Sequence, residues 1–323
     1  MRRFVPALFL LLVSLVPALA AHAQSWPVRP VRVIVSQAAG GTPDIIARLV
    51  SERLTRALGQ SVLVENRPGA ANIIGAQAAA RAPADGYTLF FATTAALVSN
   101  PLTFKTLPYD PVKDFVPVGF VGKAPFLVLV NSSVPAKSLA ELFALEKSQP
   151  GKFSVAIDGA RNFSGMIAAW LNKLSGAQIQ AVPYNTMPQG VQDTLAGRTQ
   201  IVVIAIPSAT PHMKSGALRA LAVTTAQRAP GLESVPAVAE TMPGFELVGW
   251  FGFMAPSGTP PEIVQRLNTE IGRILGEPEV AQRLRDLGIL AEGAMSVRGF
   301  EDLIRADRAT WARMVKDIGI EPE

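Results

Sequence analysis

The chain has 323 residues, with 30 Lys and Arg against 25 Asp and Glu, and it contains no cysteine. The absence of cysteine excludes disulfides, a thiolate nucleophile and cysteine metal sites, while the length suffices for two domains. The basic residues are scattered without interleaved aromatic residues, which argues against a nucleic-acid partner. One of the two histidines, His22, lies in the N-terminal leader, so a multi-histidine metal site is also excluded.

The first 23 residues are predicted to be a signal peptide. Arg2 and Arg3 form a basic region, residues 5–19 are apolar, and Ala21-His22-Ala23 is a small-x-small cleavage site. This apolar run is short for a membrane span, although a retained anchor is the alternative. The sequence therefore predicts export across the inner membrane and a periplasmic protein that begins near residue 24.

The first element of the mature chain is predicted to be a strand at 31–35, followed by a glycine turn and a helix that ends at Gly59. Gly40 and Gly41 allow the backbone to approach a ligand closely. Thr42 suits a helix N-cap, and Asp44 suits the positive end of the helix dipole. Because a glycine turn before a helix N-terminus favours anions, this segment is predicted to bind a small anion through Gln37, Gly40, Gly41, Thr42 and Asp44.

Strand and helix patterns then alternate, which is typical of an α/β protein with largely parallel sheets. Thr93 and Thr94 follow an apolar strand predicted at 87–92, where their hydroxyls can face a ligand cleft. The other predicted strands and helices cover residues 61–65, 73–81, 126–130, 140–147, 153–157, 163–176, 179–183, 189–195, 201–206, 218–223 and 250–255. A capping box at 259–262 is predicted to begin the first of three C-terminal amphipathic helices.

The second half of the chain offers a further group of candidate ligand-binding residues. Arg161 stands beside a predicted helix N-terminus that Asn162 or Ser164 caps, and a guanidinium there can clamp a carboxylate with two hydrogen bonds. A solvated surface arginine and a side chain that fills the pocket are the alternatives. Tyr184 and Asn185 end a strand and can also bond to a ligand, or Tyr184 can simply pack its ring.

Two enzyme classes compete with simple binding. The glycine turn followed by Glu65 imitates a dinucleotide site, but Gly-x-Gly-x-x-Gly is absent. A secreted hydrolase would use Ser164 with His212, but no Gly-x-Ser-x-Gly motif is present and His212 is read as an exposed histidine in a surface turn. We therefore expect no enzyme activity, no catalytic residue, no metal and no cofactor.

Many segments of the chain, in order, resemble the Bug family, the extracytoplasmic solute receptors of tripartite tricarboxylate transporters. These segments are GGTPD at 40–44, VENRPGA at 64–70, DGYTL at 85–89, LPYDPVKDF at 107–115, PAKSL at 135–139, VPY at 182–184, LRALAVT at 218–224, WFG at 250–252 and APSGTP at 255–260. The chain departs from the family pattern at Ser36-Gln37, where Pro-Phe is usual, and also at 159–166 and at Asn185-Thr186. These departures leave the fold expectation in place and the identity of the ligand open.

The resemblance implies a two-lobed type II periplasmic binding protein of the Venus flytrap kind. Residues 24–124 and 248–323 are expected to form lobe 1, and residues 125–247 lobe 2. Family members hold a small carboxylate between the lobes, often through backbone N–H groups and waters. The expected function is capture of a small organic acid by a monomer that serves the membrane components of a transporter. A ligand-sensing receptor of a two-component system is the alternative.

Overall fold

The computed structural model describes residues 26–291 and 293–322, so the predicted signal peptide lies outside the described residues. The described chain folds into two five-stranded sheets with helices packed around them. Its first part forms β1 (Val31–Val35), α1 (Thr42–Leu58), β2 (Val62–Asn66), α2 (Ile73–Ala80), β3 (Thr88–Thr93), α3 (Asn100–Thr103) and β4 (Phe115–Ala124).

The middle of the chain supplies every strand of the second sheet. It forms β5 (Phe126–Asn131), α4 (Leu139–Ser148), β6 (Ser154–Ile157), α5 (Phe163–Ser175), β7 (Gln180–Pro183), α6 (Met187–Leu195), β8 (Ile201–Ala205), α7 (Ile206–Lys214), β9 (Leu218–Val223) and α8 (Val238–Thr241). The chain then returns to the first sheet and ends with β10 (Gly249–Pro256), α9 (Pro261–Leu275), α10 (Pro278–Asp286) and α11 (Val297–Ile318).

The two sheets share one topology. The first has the order β2-β1-β3-β10-β4 and the second the order β7-β6-β8-β5-β9. In each, the first two neighbouring pairs are parallel and the last two are antiparallel. The parallel pairing predicted for the first hundred residues of the mature chain is observed among β1, β2 and β3, whereas each complete sheet is mixed. In both sheets the antiparallel pairs involve a strand that follows a crossing between the sheets, β5 after β4 and β10 after the second sheet is complete.

A continuous apolar core joins the two sheets through α11. Trp311 on this helix is fully buried and meets Phe163 of α5 edge-on, with ring centroids 5.0 Å apart. Phe300, earlier on α11, packs edge-on against Phe120 of β4 and against Trp250 of β10, at 5.4 Å in both cases. The C-terminal helix α11 thus packs on both lobes. Its Phe300 and Trp311 contact aromatic residues of both lobes.

Three local predictions were wrong for identifiable reasons. Gly41, not Thr42, is the N-cap of α1, and Pro260 occupies the N-cap of α9 because the Thr259 hydroxyl bonds to the Pro256 carbonyl instead. Strand β4 was not predicted, since Pro117 and two glycines interrupt its apolar pattern. A Cβ on Gly119 would lie 2.9 Å from Ile271 of α9, so this glycine permits the close packing of a helix on the strand.

None of the described helices combines the length and the apolar character needed for a membrane span.

Candidate functional site

A cavity of about 290 Å³ lies between the two sheets, where strands end and helices begin. Its first side comes from the ends of β1 and β3 and the start of α1, and its second side from α5, α7 and the β8 end. The crossing segments and the loop after α10 complete the lining, which comprises Gln37, Thr42, Pro43, Thr93, Thr94, Ala95, Ala124, Pro125, Phe126, Phe163, Ala205, Pro207, Ser208, Gly249, Trp250, Phe251, Leu287, Gly288 and Ile289.

Three helices begin at this cavity without a side-chain cap. The N-caps of α1, α5 and α7 are Gly41, Asn162 and Ala205, and none of them makes a side-chain hydrogen bond to the first turn. The first N–H groups of a helix have no partner within the helix, and its N-terminus carries a partial positive charge. Three such ends around one cavity favour an anionic group inside it.

Two buried polar atoms at the cavity have no hydrogen-bond partner in the protein. These are Oε1 of Gln37 and Oγ1 of Thr93, and both residues belong to the lining. The neighbouring Thr94 hydroxyl accepts a 2.8 Å hydrogen bond from the backbone N–H of Trp250, which leaves its own O–H free to donate. Because a buried polar atom without a partner is costly, the first side of the cavity is suited to a polar ligand group.

The first turn, residues 36–44, is braced by the Asp44 carboxylate. Asp44 is buried and accepts hydrogen bonds from the Gly40 N–H at 2.9 Å, the Asn66 side chain at 2.9 Å and Arg48 at 3.0 Å. Burial tends to raise the pKa of Asp44, but the bonds from Arg48, Gly40 and Asn66 outweigh it and lower the pKa. Gly40, Gly41 and Asp44 do not line the cavity, so their predicted ligand contacts stay predictions. The hydrogen bonds that Asp44 accepts stabilise the first turn.

The same asparagine ties the turn to the cavity. Asn66 Nδ2 also donates a 3.0 Å hydrogen bond to the carbonyl of Gln37, and its Oδ1 accepts one from Arg48. Sequence analysis included Asn66 only within the family-like segment at 64–70. Its amide links β2 to both ends of the first turn, and it thereby positions Gln37.

The second turn, residues 158–164, is held by Asp158. The Ser164 hydroxyl donates to the Asp158 carboxylate and accepts from the Asp158 N–H at 2.9 Å, and Asn162 Nδ2 donates to the Asp158 carbonyl at 2.7 Å. Asn162 occupies the predicted N-cap position, but its side chain bonds within the turn. Of residues 158–164, only Phe163 lines the cavity, so ligand contacts of Asn162 and Ser164 remain predictions.

The structure places three further candidates outside the cavity lining. Arg161 is exposed, and its Nη1 donates to the Glu321 carbonyl at 3.0 Å. Tyr184 donates from its hydroxyl to Asp193 at 2.9 Å, and burial and that carboxylate raise its pKa. Asn185 is exposed. No observation tests their predicted roles in ligand binding.

The cavity therefore brings together four of the predicted residues, namely Gln37, Thr42, Thr93 and Thr94. Among the lining residues that sequence reasoning missed, those with larger or polar side chains include Phe126, Phe163, Ser208, Trp250, Phe251 and Leu287. A signal was available only for Trp250 and Phe251, which belong to a family motif that was read as a strand. Phe126, Phe163 and Leu287 lie in segments that were read as ordinary strand or helix, and Ser208 lies in α7, which was not predicted.

A larger cavity of about 720 Å³ includes Lys123, Arg228 and Glu246 in its lining. These three charged groups are already paired, since Lys123 lies 3.1 Å from Glu246 and Arg228 makes two 2.8 Å hydrogen bonds to Glu240. The two cavities adjoin at Ile289, but none of the predicted site residues lines the larger one. We therefore place the candidate site in the smaller cavity.

The described residues give little support to the enzyme alternatives. No hydrogen bond among them joins Ser164 to His212, which lies in the last turn of α7 instead of the surface turn expected for it. Glu65, which imitates the acidic residue of a dinucleotide site, lies 2.5 Å from Arg67 and 3.2 Å from Arg32. No group of three metal-ligating side chains occurs in the part of the chain that the structure describes.

Comparison with known proteins gives concordant results. Residues 46–320 match the model of the tripartite tricarboxylate transporter family receptor. The chain is 38% identical to a UPF0065 protein of Bordetella bronchiseptica over 304 residues, which covers 94% of this chain and 90% of that protein. It is 34% identical to Protein BugT of Bordetella pertussis over 303 residues, which covers 92% of this chain and 91% of that protein.

Solved structures extend the likeness to the fold. The R. palustris protein Rpa4515 with adipate is 35% identical, with a TM-score of 0.78, and the match covers 92% of this chain and 100% of that one. MatC from Rhodopseudomonas palustris with bound malate is 31% identical, with a TM-score of 0.72 and coverage of 90% and 99%. The predicted two-lobed type II periplasmic binding fold is thereby confirmed, and the chain belongs to the tripartite tricarboxylate transporter receptor family of solute-binding proteins.

Proposed function

We propose that this chain is a periplasmic receptor that captures the carboxylate of a small organic acid in the cavity between its lobes. The observation that carries the proposal is the convergence of three uncapped helix N-termini, those of α1, α5 and α7, on that cavity. The relatives solved with adipate and with malate support it.

The electrostatics of the cavity favour an anion in a way that depends on backbone more than on side chains. Among the described residues that line it there is no Asp or Glu to repel a carboxylate, and no Lys, Arg or His to neutralise one. The attraction would come from the helix ends and from the hydroxyls of Thr42, Thr93, Thr94 and Ser208. A carboxylate accepts several hydrogen bonds at once, so it can use these donors together.

The lobe boundaries proposed from the sequence suit this function. With residues 24–124 and 248–323 as lobe 1 and 125–247 as lobe 2, the two crossings fall at the back of the cavity, where Ala124, Pro125 and Gly249 line it. Rotation about these crossings would open and close the cavity around a solute. We further propose that the receptor acts as a monomer and delivers its solute to the membrane components of a transporter.

Pairs of acids and their neutral amides test the proposal. Purified protein is screened by thermal unfolding at pH 7.5 against a panel of small carboxylates, each beside the primary amide of the same skeleton. We expect at least one acid to raise the unfolding temperature while its amide does not, because a ligand that binds only the folded state stabilises it. Equal stabilisation by acid and amide would contradict the proposal, as would a panel without any stabilising acid.

Native mass spectrometry of the protein purified without refolding gives an independent readout. A co-purified solute that carries a carboxyl group would support the proposal, and a co-purified neutral solute would contradict it. Size-exclusion chromatography with light scattering of the same sample tests the monomer.

A further inference from the structure

We infer that the solute is an aromatic monocarboxylate, with a single carboxylate on the first side of the cavity and a flat apolar body against the phenylalanines of the second side and of β10. This inference rests on the proposed function and narrows it to one chemical class. It is carried by the composition of the lining, by the geometry of the aromatic rings and by the cavity volume.

The polar side chains of the lining are concentrated on the first side of the cavity. Four of the five polar lining side chains, Gln37, Thr42, Thr93 and Thr94, lie on the first side, and only Ser208 lies across the cavity. Among the described lining residues no side chain carries a charge. A second carboxylate on the second side would find the starts of α5 and α7 and the Ser208 hydroxyl, but no cationic side chain, so its desolvation would be compensated less fully than that of an aromatic ring.

The remaining lining is aromatic and partly open. Phe126 and Phe163 are nearly parallel, with ring centroids 5.2 Å apart and planes 10° apart, and Phe251 stacks in the same way on the buried Phe91 at 5.8 Å. Phe126, Phe163 and Phe251 are only half-buried. A planar ligand ring that covers their exposed surface would gain apolar burial and further aromatic contact.

These half-buried rings differ from the other exposed apolar side chains. The large apolar residues most exposed on the described surface are aliphatic: Val28, Leu63, Ile74, Val112 and Leu174. Scattered single aliphatic side chains of this kind are ordinary on a protein surface. Three phenylalanines around one cavity indicate a binding surface for an apolar group.

The cavity volume of about 290 Å³ limits the solute to a small molecule, and closure of the lobes would reduce the space further. A solute of about ten non-hydrogen atoms fits such a space, as benzoate and 4-hydroxybenzoate do. The unpartnered Oε1 of Gln37 would additionally accept a hydrogen bond from a solute hydroxyl.

Titration with six probes tests the inference: benzoate, 4-hydroxybenzoate, phenylacetate, citrate, malate and benzamide. Calorimetry supplies the dissociation constant of each probe. We expect at least one of the three aromatic acids to bind at least tenfold more tightly than citrate and malate. Binding of citrate or malate as tightly as the best aromatic acid would overturn the inference and leave the proposed function standing. Failure of all three aromatic acids would also overturn it, whereas equal binding of benzamide and benzoate would count against the proposed function itself.

Conservative variants locate the aromatic contact. We expect Phe163→Leu and Phe251→Leu each to weaken aromatic acid binding by about three- to tenfold. Phe104→Leu is the matched control, because Phe104 is also half-buried and does not line the cavity. Unfolding temperatures are measured for all three variants. Variants at 163 and 251 that fold normally and bind as tightly as the control would overturn the assignment.

Discussion

Two strand-turn-helix units face each other across the cavity, and they are built alike but line it differently. In both, a strand ends, a glycine-containing turn follows, and a carboxylate bonds the turn together: Asp44 in the first turn and Asp158 in the second. The first turn places Gln37 and Thr42 on the cavity, whereas the second places only Phe163 there. The same local architecture thus yields a polar side and an aromatic side.

The difference shows that turn architecture and ligand contact are separate properties. Each carboxylate accepts hydrogen bonds that hold its own turn in place, and neither residue lines the cavity. In both units the first residue of the helix lines the cavity. It is polar on the first side, where it is Thr42 of α1, and aromatic on the second side, where it is Phe163 of α5.

Gly41→Val should abolish measurable solute binding, with a loss of at least about 100-fold. Gly41 has an ordinary extended conformation, with φ of −73°, and a Cβ there would meet no atom closer than 3.4 Å. Valine should therefore leave the fold intact while it blocks close approach of a solute to the start of α1. Calorimetry with the identified solute measures the loss.

Ala39→Val is the matched control, because Ala39 is exposed on the same turn but lies two residues before Gly41, the N-cap of α1. Full affinity in a normally folded Gly41→Val protein would show that the solute does not use the backbone of the first turn.

The packing of α11 beside the cavity can be tested at Asp307, because this residue of α11 is hydrogen-bonded to Trp250, which lines the cavity. The indole N–H of Trp250 donates to Asp307 at 2.8 Å. Burial, together with the nearby Glu246 carboxylate, raises the pKa of Asp307 to about 6. The hydrogen bond from Trp250 and the charge of Lys123 act in the opposite direction and lower the pKa. The folded state therefore binds this proton more tightly than the unfolded state, where the ordinary pKa is 3.8.

The stability that Asp307 contributes should be fully present below about pH 4 and lost as the pH rises through about 6. The change amounts to about 3 kcal/mol, since each unit of pKa difference corresponds to about 1.4 kcal/mol. Asp307→Asn should remove this slope and be the more stable protein at pH 7.5. Urea unfolding of both proteins at pH 4.5, 6 and 7.5 measures it, and parallel pH profiles would contradict the assignment.

The predicted carboxylate clamp by Arg161 offers a test on the second side. If the guanidinium reaches the solute, Arg161→Ala should weaken binding by about 10- to 100-fold, and Arg161→Lys should recover only part of the loss. Calorimetry at two salt concentrations measures both variants. Unchanged affinity in the alanine variant would leave Arg161 with its observed contact, the Glu321 carbonyl.

Two further variants compare how strongly the hydrogen bonds of Asp44 and of Ser164 stabilise the first and the second turn. Asp44→Asn loses the ion pair to Arg48 and part of the accepting capacity for three donors, so it should cost about 2 kcal/mol of unfolding free energy. Ser164→Ala removes one hydroxyl from the second turn and should cost about 1 kcal/mol. Chemical denaturation of both variants gives the ranking, and a larger loss in Ser164→Ala would reverse our view of which turn is more strongly held.

Several elements were predictable because their signals are local. The apolar run at Val31–Val35 is the observed β1, and α1 ends at Gly59, whose φ of +68° suits glycine at a helix C-terminus. Ser138 caps α4 as its position in the sequence indicates, with its hydroxyl accepting from the Glu141 N–H. Thr93 and Thr94 were placed at the cavity because they end a strand, and the ends of parallel strands gather at one edge of a sheet.

Other features depend on residues far apart in the chain. Strand β4 exists because β10, which comes more than a hundred residues later, pairs with it antiparallel, and nothing within residues 115–124 shows that partner. Likewise Gly288 lies against the start of α7, where a Cβ would come within 2.5 Å of Pro207. Close approaches of this kind bring the loop after α10 to the cavity, and no local pattern records them.

Local sequence patterns were enough to recognise the strand-turn-helix units, their glycine turns and the family, because each of these depends on residues a few positions apart. The tertiary structure decided which side chains meet: Gln37 and Thr93 on one side, Phe163 and Phe251 on the other. The physical reason is that side-chain burial at the cavity depends on how two sheets and α11 pack, and that packing is a sum over distant contacts. The first turn at 36–44 could therefore be predicted from the sequence, whereas the aromatic side of the cavity could be identified only from the tertiary structure.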